Sequence, residues 1–275
     1  MKEKSSMTQH PELTLTESRP FQTQRRDTWW VQPLAVFIGL SAFIIYTTFR
    51  VFEGDNFLHG PYLSPFYSPL LFGTDPYSVD HSWFGMMPNW MPGLITPAVL
   101  ILWAPAGFRF TCYYYRGAYY KAFWADPPSC TVSEPRKGYR GENSFPLIIQ
   151  NIHRYFLYVA LIFLVILSYD VWKAMWFSNE NGEETFGIGI GTLVLAGNVV
   201  FLGGYTLGCH SLRHLTVGII DLLAKAPVRR QMYNCVSCLN RRHMLWAWLS
   251  LFWVAFSDVY VRFIAPALGQ DWITF

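Results

Sequence analysis

Charge is scarce in this sequence: Lys, Arg, Asp and Glu together make up 14% of its 275 residues. An ordinary soluble domain carries roughly 25%. The net charge of +3 is too small to point to nucleic acid. Residues 1–28 hold no apolar core of the kind a secretory signal needs, only polar residues with Lys2, Lys4, Arg19, Arg25 and Arg26. That arm is expected to stay in the cytoplasm. Internal repeats and low-complexity tracts are missing. So are a phosphate-binding glycine loop, a dinucleotide fingerprint and any nucleophile–base pair with recognisable spacing. Gly187, Gly189 and Gly191 fall in an apolar run, where they are expected to let helices pack closely.

What is abundant is apolar and aromatic surface, 52% and 18% of residues. A membrane-spanning helix needs about 20 mostly apolar residues to cross roughly 30 Å of hydrocarbon. Five runs qualify, at about 29–52, 94–114, 149–172, 186–215 and 244–264. Pro97 and Pro105 predict that the second is kinked or starts late. The fold class is all-α, an integral membrane five-helix bundle over 29–265. It follows the cytoplasmic arm 1–28 and precedes an external tail at 266–275. The stretch 108–124 reads as the second helix continuing into the inner interface.

Orientation follows from Lys and Arg, which concentrate on the cytoplasmic side. Between Arg50 and Arg109 there is neither, while Glu53, Asp55, Asp75 and Asp80 are present, so that loop is outside. The next loop, with Arg116, Lys121, Arg136, Lys137 and Arg140, is inside. The loop with Glu180, Glu183 and Glu184 has only Lys173 and is outside; the last, with Lys225, Arg229, Arg230, Arg241 and Arg242, is inside. The N-terminus is therefore cytoplasmic and the C-terminus external. Arg50 and Arg262 stand as single exceptions at outer helix ends.

On this topology every cysteine falls at or below the cytoplasmic end: Cys112, Cys130, Cys209, Cys235 and Cys238. His153, His210, His214 and His243 fall there too. His10, His59 and His81 read as ordinary surface histidines. The cytoplasm is reducing, so clustered thiols read as metal ligands rather than disulfides. His210 and His214 share a helical face four residues apart, Cys235 and Cys238 form a familiar ligand pair in a loop, and His243 opens the fifth helix. Taken alone, Cys130 and His153 read as packed polar residues. Two cysteines and two histidines suit zinc or a Rieske-type [2Fe–2S] cluster. One haem b held by two of the four histidines is an alternative. Two haems are disfavoured, because the histidines cluster at one depth. Few charges lie at the midplane, which speaks against a transporter or channel; a zinc-stabilised structural protein is the remaining class.

Several runs, in order, resemble the single-chain, five-helix membrane anchor of succinate dehydrogenase/fumarate reductase. They are Thr-Trp-Trp-Val at 28–31, Thr-Cys-Tyr-Tyr-Tyr-Arg at 111–116 and Pro-Leu-Ile-Ile-Gln-Asn-Ile-His-Arg-Tyr at 146–155. Cys-His-Ser-Leu-Arg-His at 209–214, running on to Asp221, and Arg-His-Met at 242–244 complete the set. The resemblance covers all five helices. It implies a complex in the bacterial plasma (inner) membrane, with a flavoprotein carrying FAD and an iron–sulfur subunit carrying further clusters. This chain would pass electrons to a quinone, menaquinone or ubiquinone. In the haem-bearing relatives an axial histidine precedes the Arg-His pair by about two turns, and that place is Leu207 here. The expected substitute is a Rieske-type cluster, whose imidazole ligands raise the potential of an iron–sulfur centre toward that of quinones. Its ligands are expected among Cys112, Cys209, His210, His214, Cys235, Cys238 and His243, with His210 and His243 favoured as imidazoles and the choice of thiolates open. Trp29, Trp30, Tyr113, His153 and Arg154 lie at the depth of a quinone pocket, and each also reads as an interfacial anchor.

Overall fold

The computed structural model describes residues 19–136, 143–145, 147–178, 182–218, 223–269 and 272–273. Outside them lie residues 1–18 of the arm with His10, the loop residues Lys137, Arg140 and Glu180, Asp221, and residues 270–271 and 274–275 of the tail.

The helices are α1 (Val31–Glu53), α2 (Pro76–Val79), α3 (Pro97–Phe110), α4 (Tyr113–Ala122), α5 (His153–Lys173), α6 (Ile190–Leu207), α7 (His210–Val217), α8 (Pro227–Asn240), α9 (His243–Val259) and α10 (Ala265–Leu268). A π-helical turn, Tyr260–Ile264, joins the last two. Four segments are long and apolar enough to cross a membrane: Val31–Glu53, Ile148–Lys173, Ile190–Leu207 and His243–Leu268. The fifth apolar segment, α3, has 14 residues and is about 21 Å long at 1.5 Å per residue. It starts late, as its prolines predict. Thr96 caps it and Pro97 takes the first position, where a missing N–H costs nothing.

Two of the expected spans are broken. The second stops at Thr111–Cys112 and resumes as α4; the fourth stops at Gly208–Cys209 and resumes as α7. Both cysteines have extended backbone at the break, Cys112 with ψ 132° and Cys209 with ψ 139°.

In the bundle α6 packs on α9 and α5, α3 on α5, and α1 on α4 and α9. Close approach of α6 to α9 rests on Gly197 and Gly204, whose missing Cβ atoms leave room for Trp253 and Trp246. Of the three glycines expected to serve this purpose, Gly187 and Gly189 precede the helix, and Gly191 faces Tyr62 of the loop after α1.

At the end of the bundle opposite Cys112 sits a cap, residues 54–96, with three two-stranded antiparallel pairs nearby. These are β1 (Leu58–His59) with β2 (Tyr62–Leu63), β3 (Trp176–Ser178) with β4 (Glu184–Phe186), and β5 (Ile188–Gly189) with β6 (Trp272–Ile273). Asp75 caps α2 by accepting from the amides of Ser78 and Tyr77. Those hydrogen bonds hold its carboxyl below the usual range.

The two exceptional arginines are neutralised here. Arg262 donates to Asp258 at 2.9 Å and pairs with Glu53 at 3.0 Å; Arg50 pairs with Glu53 at 2.7 Å. The side chains of Asp258 and Arg262 are fully buried, and Tyr46 Oη and Ser64 Oγ also donate to Asp258. Asp258→Asn would leave Arg50 and the buried Arg262 sharing the single carboxylate of Glu53, a loss of about 3–5 kcal/mol for a broken buried pair. We expect a lowered unfolding midpoint in detergent; an unchanged midpoint would show that the network does not brace the fold. Gly204→Ala sets a Cβ 2.6 Å from the Trp246 ring and is expected to cost about 1–3 kcal/mol by overpacking, read in the same assay.

Candidate functional site

Four side chains of the expected chemistry meet where the broken helices meet. Cys112 stands at the start of α4, Cys209 at the start of α7, His153 opens α5 and His243 opens α9. His153 Nε2 lies 3.2 Å from Cys209 Sγ, and His243 Nε2 lies 3.6 Å from Cys112 Sγ. The two pairs belong together. Both thiols lie in one core cluster with Phe108 and Tyr205, whose rings stack on His153 and His243. Leu40 of α1 belongs to the same cluster.

Both cysteines are 1% exposed and His153 is 7% exposed. Cys112 and Cys209 occupy the N-cap positions of α4 and α7. The positive end of a helix dipole lies at such a position. Broken membrane helices whose half-helix N-termini surround a negative group are a recurrent way to build a site within a bilayer.

The tautomer of His153 follows from Thr111. Its hydroxyl donates its one hydrogen to Gly107 O at 2.7 Å, so it accepts from His153 Nδ1–H at 2.8 Å. Nε2 is then left with its lone pair toward Cys209. Outer partners of this kind orient metal-ligating histidines. His243 presents a buried Nδ1 that has no hydrogen-bond partner. Phe108 stacks on His153 at 4.7 Å and Tyr205 on His243 at 5.0 Å between ring centroids.

The other candidate ligands lie elsewhere. His210 and His214 hydrogen-bond to each other at 2.9 Å on the exposed side of α7. Cys235 and Cys238 are exposed on α8, a helix where a loop was expected; Cys130 is exposed too. Among the described residues no three His, Cys, Asp or Glu side chains converge as a single metal ion requires. The expected set of seven therefore does not form one centre. His153, expected as a quinone contact or a packed polar residue, takes the place expected for His210.

The expected quinone contacts are also dispersed. Trp30 is exposed at the start of α1, next to Trp29; Tyr113 lies beneath Arg116, and Arg154 is exposed over Tyr155. Instead, an apolar cavity of about 370 Å³ lies between α1, α3, α5 and α6 and shares Phe108 and Tyr205 with the Cys/His site. Its lining also includes Arg109, held by Ser250 at 3.0 Å and lying 4.8 Å over the Tyr205 ring. The Tyr205 hydroxyl is buried without a partner. Sequence reading passed over Arg109 and Tyr205; an arginine inside an apolar run was the available signal.

The burial pattern makes a prediction. In the folded protein a thiol reagent should label Cys130, Cys235 and Cys238 quickly and spare Cys112 and Cys209, as read by mass spectrometry. Rapid labelling of Cys209 would contradict a closed site.

Comparison with known proteins converges on one family. The family of the actinobacterial succinate dehydrogenase subunit SdhC matches residues 31–267. Among solved structures, a chain of the Mycobacterium smegmatis Sdh1 complex in the apo form is similar at 40% identity and a TM-score of 0.84. The similarity covers 95% of this chain and 97% of that one. No curated protein sequence matches. Because the match runs through every helix that frames the Cys/His site, this multi-pass membrane protein belongs to the actinobacterial SdhC family, a membrane-anchor subunit of succinate dehydrogenase.

Proposed function

We propose that this anchor carries electrons from the iron–sulfur subunit of its complex to a quinone bound inside the bundle, and that Cys112, His153, Cys209 and His243 hold a Rieske-type [2Fe–2S] cluster on that route. The carrying observation is the meeting of two buried cysteines, the buried His153 and the half-buried His243 beside an apolar cavity. The donor set fits the group. The sulfurs stand at the starts of α4 and α7, Thr111 fixes one imidazole, and the second presents an unpartnered nitrogen. When bound, such a cluster supplies a one-electron relay at about −150 to +300 mV, against about −400 mV for plant-type ferredoxin clusters, which suits quinone acceptors.

The same donors suit a zinc ion, but a single ion needs all its ligands to converge on one point. A two-iron cluster spreads four ligands over two metals, so its donors need not all converge on one point. The haem b alternative would need His153 and His243 free to face one iron, whereas each imidazole faces a thiol. The distribution of Lys and Arg supports an orientation with this end toward the cytoplasm, where a flavoprotein and an iron–sulfur subunit would dock on the basic loops.

Turning a quinone into its quinol takes two electrons and two protons. A cavity of about 370 Å³ lies within the range of small-molecule pockets, roughly 300–1,000 Å³. Among the polar groups of its lining, Arg109 and the unpartnered hydroxyls of Tyr205 and Thr47 can meet a quinone carbonyl there. Arg109 would stabilise negative charge as it develops on that oxygen, and Tyr205 would donate the hydrogen bond it otherwise lacks. Apolar walls from Phe43, Leu102, Phe163 and Val254 exclude water. Either menaquinone or ubiquinone satisfies these contacts.

Cys112→Ser and Cys209→Ser complexes are each expected to contain about two iron and two sulfide fewer than the parent, as the cluster stoichiometry requires. Equal iron and sulfide in parent and variants, or zinc in place of iron, would overturn the cluster assignment. Tyr205→Phe is expected to slow quinone reduction about tenfold, the worth of one hydrogen bond. Succinate oxidation with a soluble dye acceptor should be unchanged. Unchanged quinone turnover would place the substrate elsewhere.

A further inference from the structure

The cap carries a surface that nothing in the electron route uses. From His81 to Phe108 there is no Asp, Glu, Lys or Arg. Within that stretch Trp83, Phe84, Met86, Trp90 and Leu94 are all at least half exposed, Trp90 at 79%. A patch of this size is anomalous on a cap bathed in water.

The backbone beneath it is fixed. The amides of Trp83 and Phe84 donate to the carbonyls of Leu70 and Leu71 at 2.9 Å. Gly73 N donates to Gly85 O and Met87 N to Gly73 O, also at 2.9 Å. Leu70 is itself buried in the core shared by cap and bundle. The aromatic side chains are therefore held outward by a rigid base.

The patch also adjoins the lipid-facing side of the bundle. Thr96, at the start of α3, donates to Val51 O in the last turn of α1, so Leu94 lies just beyond the level where α1 ends. Next to it along the bundle, Trp103 of α3 and Phe49 and Phe52 of α1 are exposed as well.

We propose that residues 82–95 form a foot seated in the headgroup–acyl boundary of the leaflet at the cap end, with Trp83, Phe84, Met86, Trp90 and Leu94 inserted among lipids. Trp and Phe on an uncharged segment suit that boundary, where an apolar ring meets polar headgroups. The foot continues the apolar surface of α1 and α3 beyond the short α3, so the membrane covers the cap's flank on that side.

The test uses the whole complex in nanodiscs of phosphatidylethanolamine and phosphatidylglycerol, with Cys130, Cys235 and Cys238 changed to serine. A nitroxide is attached through Trp90→Cys, and separately through Phe84→Cys in case the first variant assembles poorly. Thr74→Cys on the cap's polar side is the reference. Labels at 90 and 84 should collide several-fold more with oxygen than with a water-soluble nickel chelate, and the label at 74 should show the reverse. A label at 90 that behaves like the one at 74 would overturn the foot. Low collision with both reagents would overturn it too, because a protein surface, a partner subunit or a second copy, would then cover the patch.

Discussion

A backbone that stops being helical inside a membrane must find other partners for its amides and carbonyls, because hydrocarbon offers none. Both breaks in this bundle meet that demand within the protein. Asn240 of α8 donates to Gly208 O at 2.8 Å, the Thr111 hydroxyl caps Gly107 O, and Tyr119 Oη reaches Arg109 O at 3.3 Å. Beyond each break the next helix restarts on the carbonyl of the cysteine itself, through Arg116 N and Arg213 N. These substitutions let two spans open at one depth. The opening places sulfur where continuous helices would offer only backbone.

The starts of α5 and α9 reach the same depth and add the imidazoles. Four helix N-termini thus face one small volume. Their partial positive charges, with Arg109 close by, oppose the cost that burial places on negative charge there. The aromatic stacking of Phe108 and Tyr205 against the two histidines separates this polar site from the apolar cavity by one layer of rings.

The far end solves the opposite problem. There the charges are balanced: two arginines, Asp258 and Glu53, with Tyr46 and Ser64 adding hydrogen bonds to the buried Asp258. The network ties α1 to the turn after α9 and to the cap, since Arg262 also donates to Asp55 O. Asp258 and Arg262 are four apart, a helical pairing that sequence spacing makes legible. Glu53 pairs locally with Arg50 three residues earlier, whereas its bridge to Arg262 needed the packing of α1 against that turn. The single arginines that cut across the orientation rule are therefore charges with local partners.

Apolar run length by itself determined that the chain is a helical membrane bundle, and Pro97 that α3 starts late, because crossing hydrocarbon sets a length and proline removes a donor. The clustering of thiols and imidazoles at one end was equally legible, since topology alternates the ends of successive helices. Which four of them meet was decided only by tertiary structure. His210 adjoins Cys209 in sequence, yet the break in the helix turns it outward with His214, while His153 comes in from another helix. Cys235 and Cys238 have a ligand's spacing, but α8 turns them to its exposed side. Spacing specifies what one helix can present; which face is buried depends on the neighbouring helices, and no local pattern encodes that.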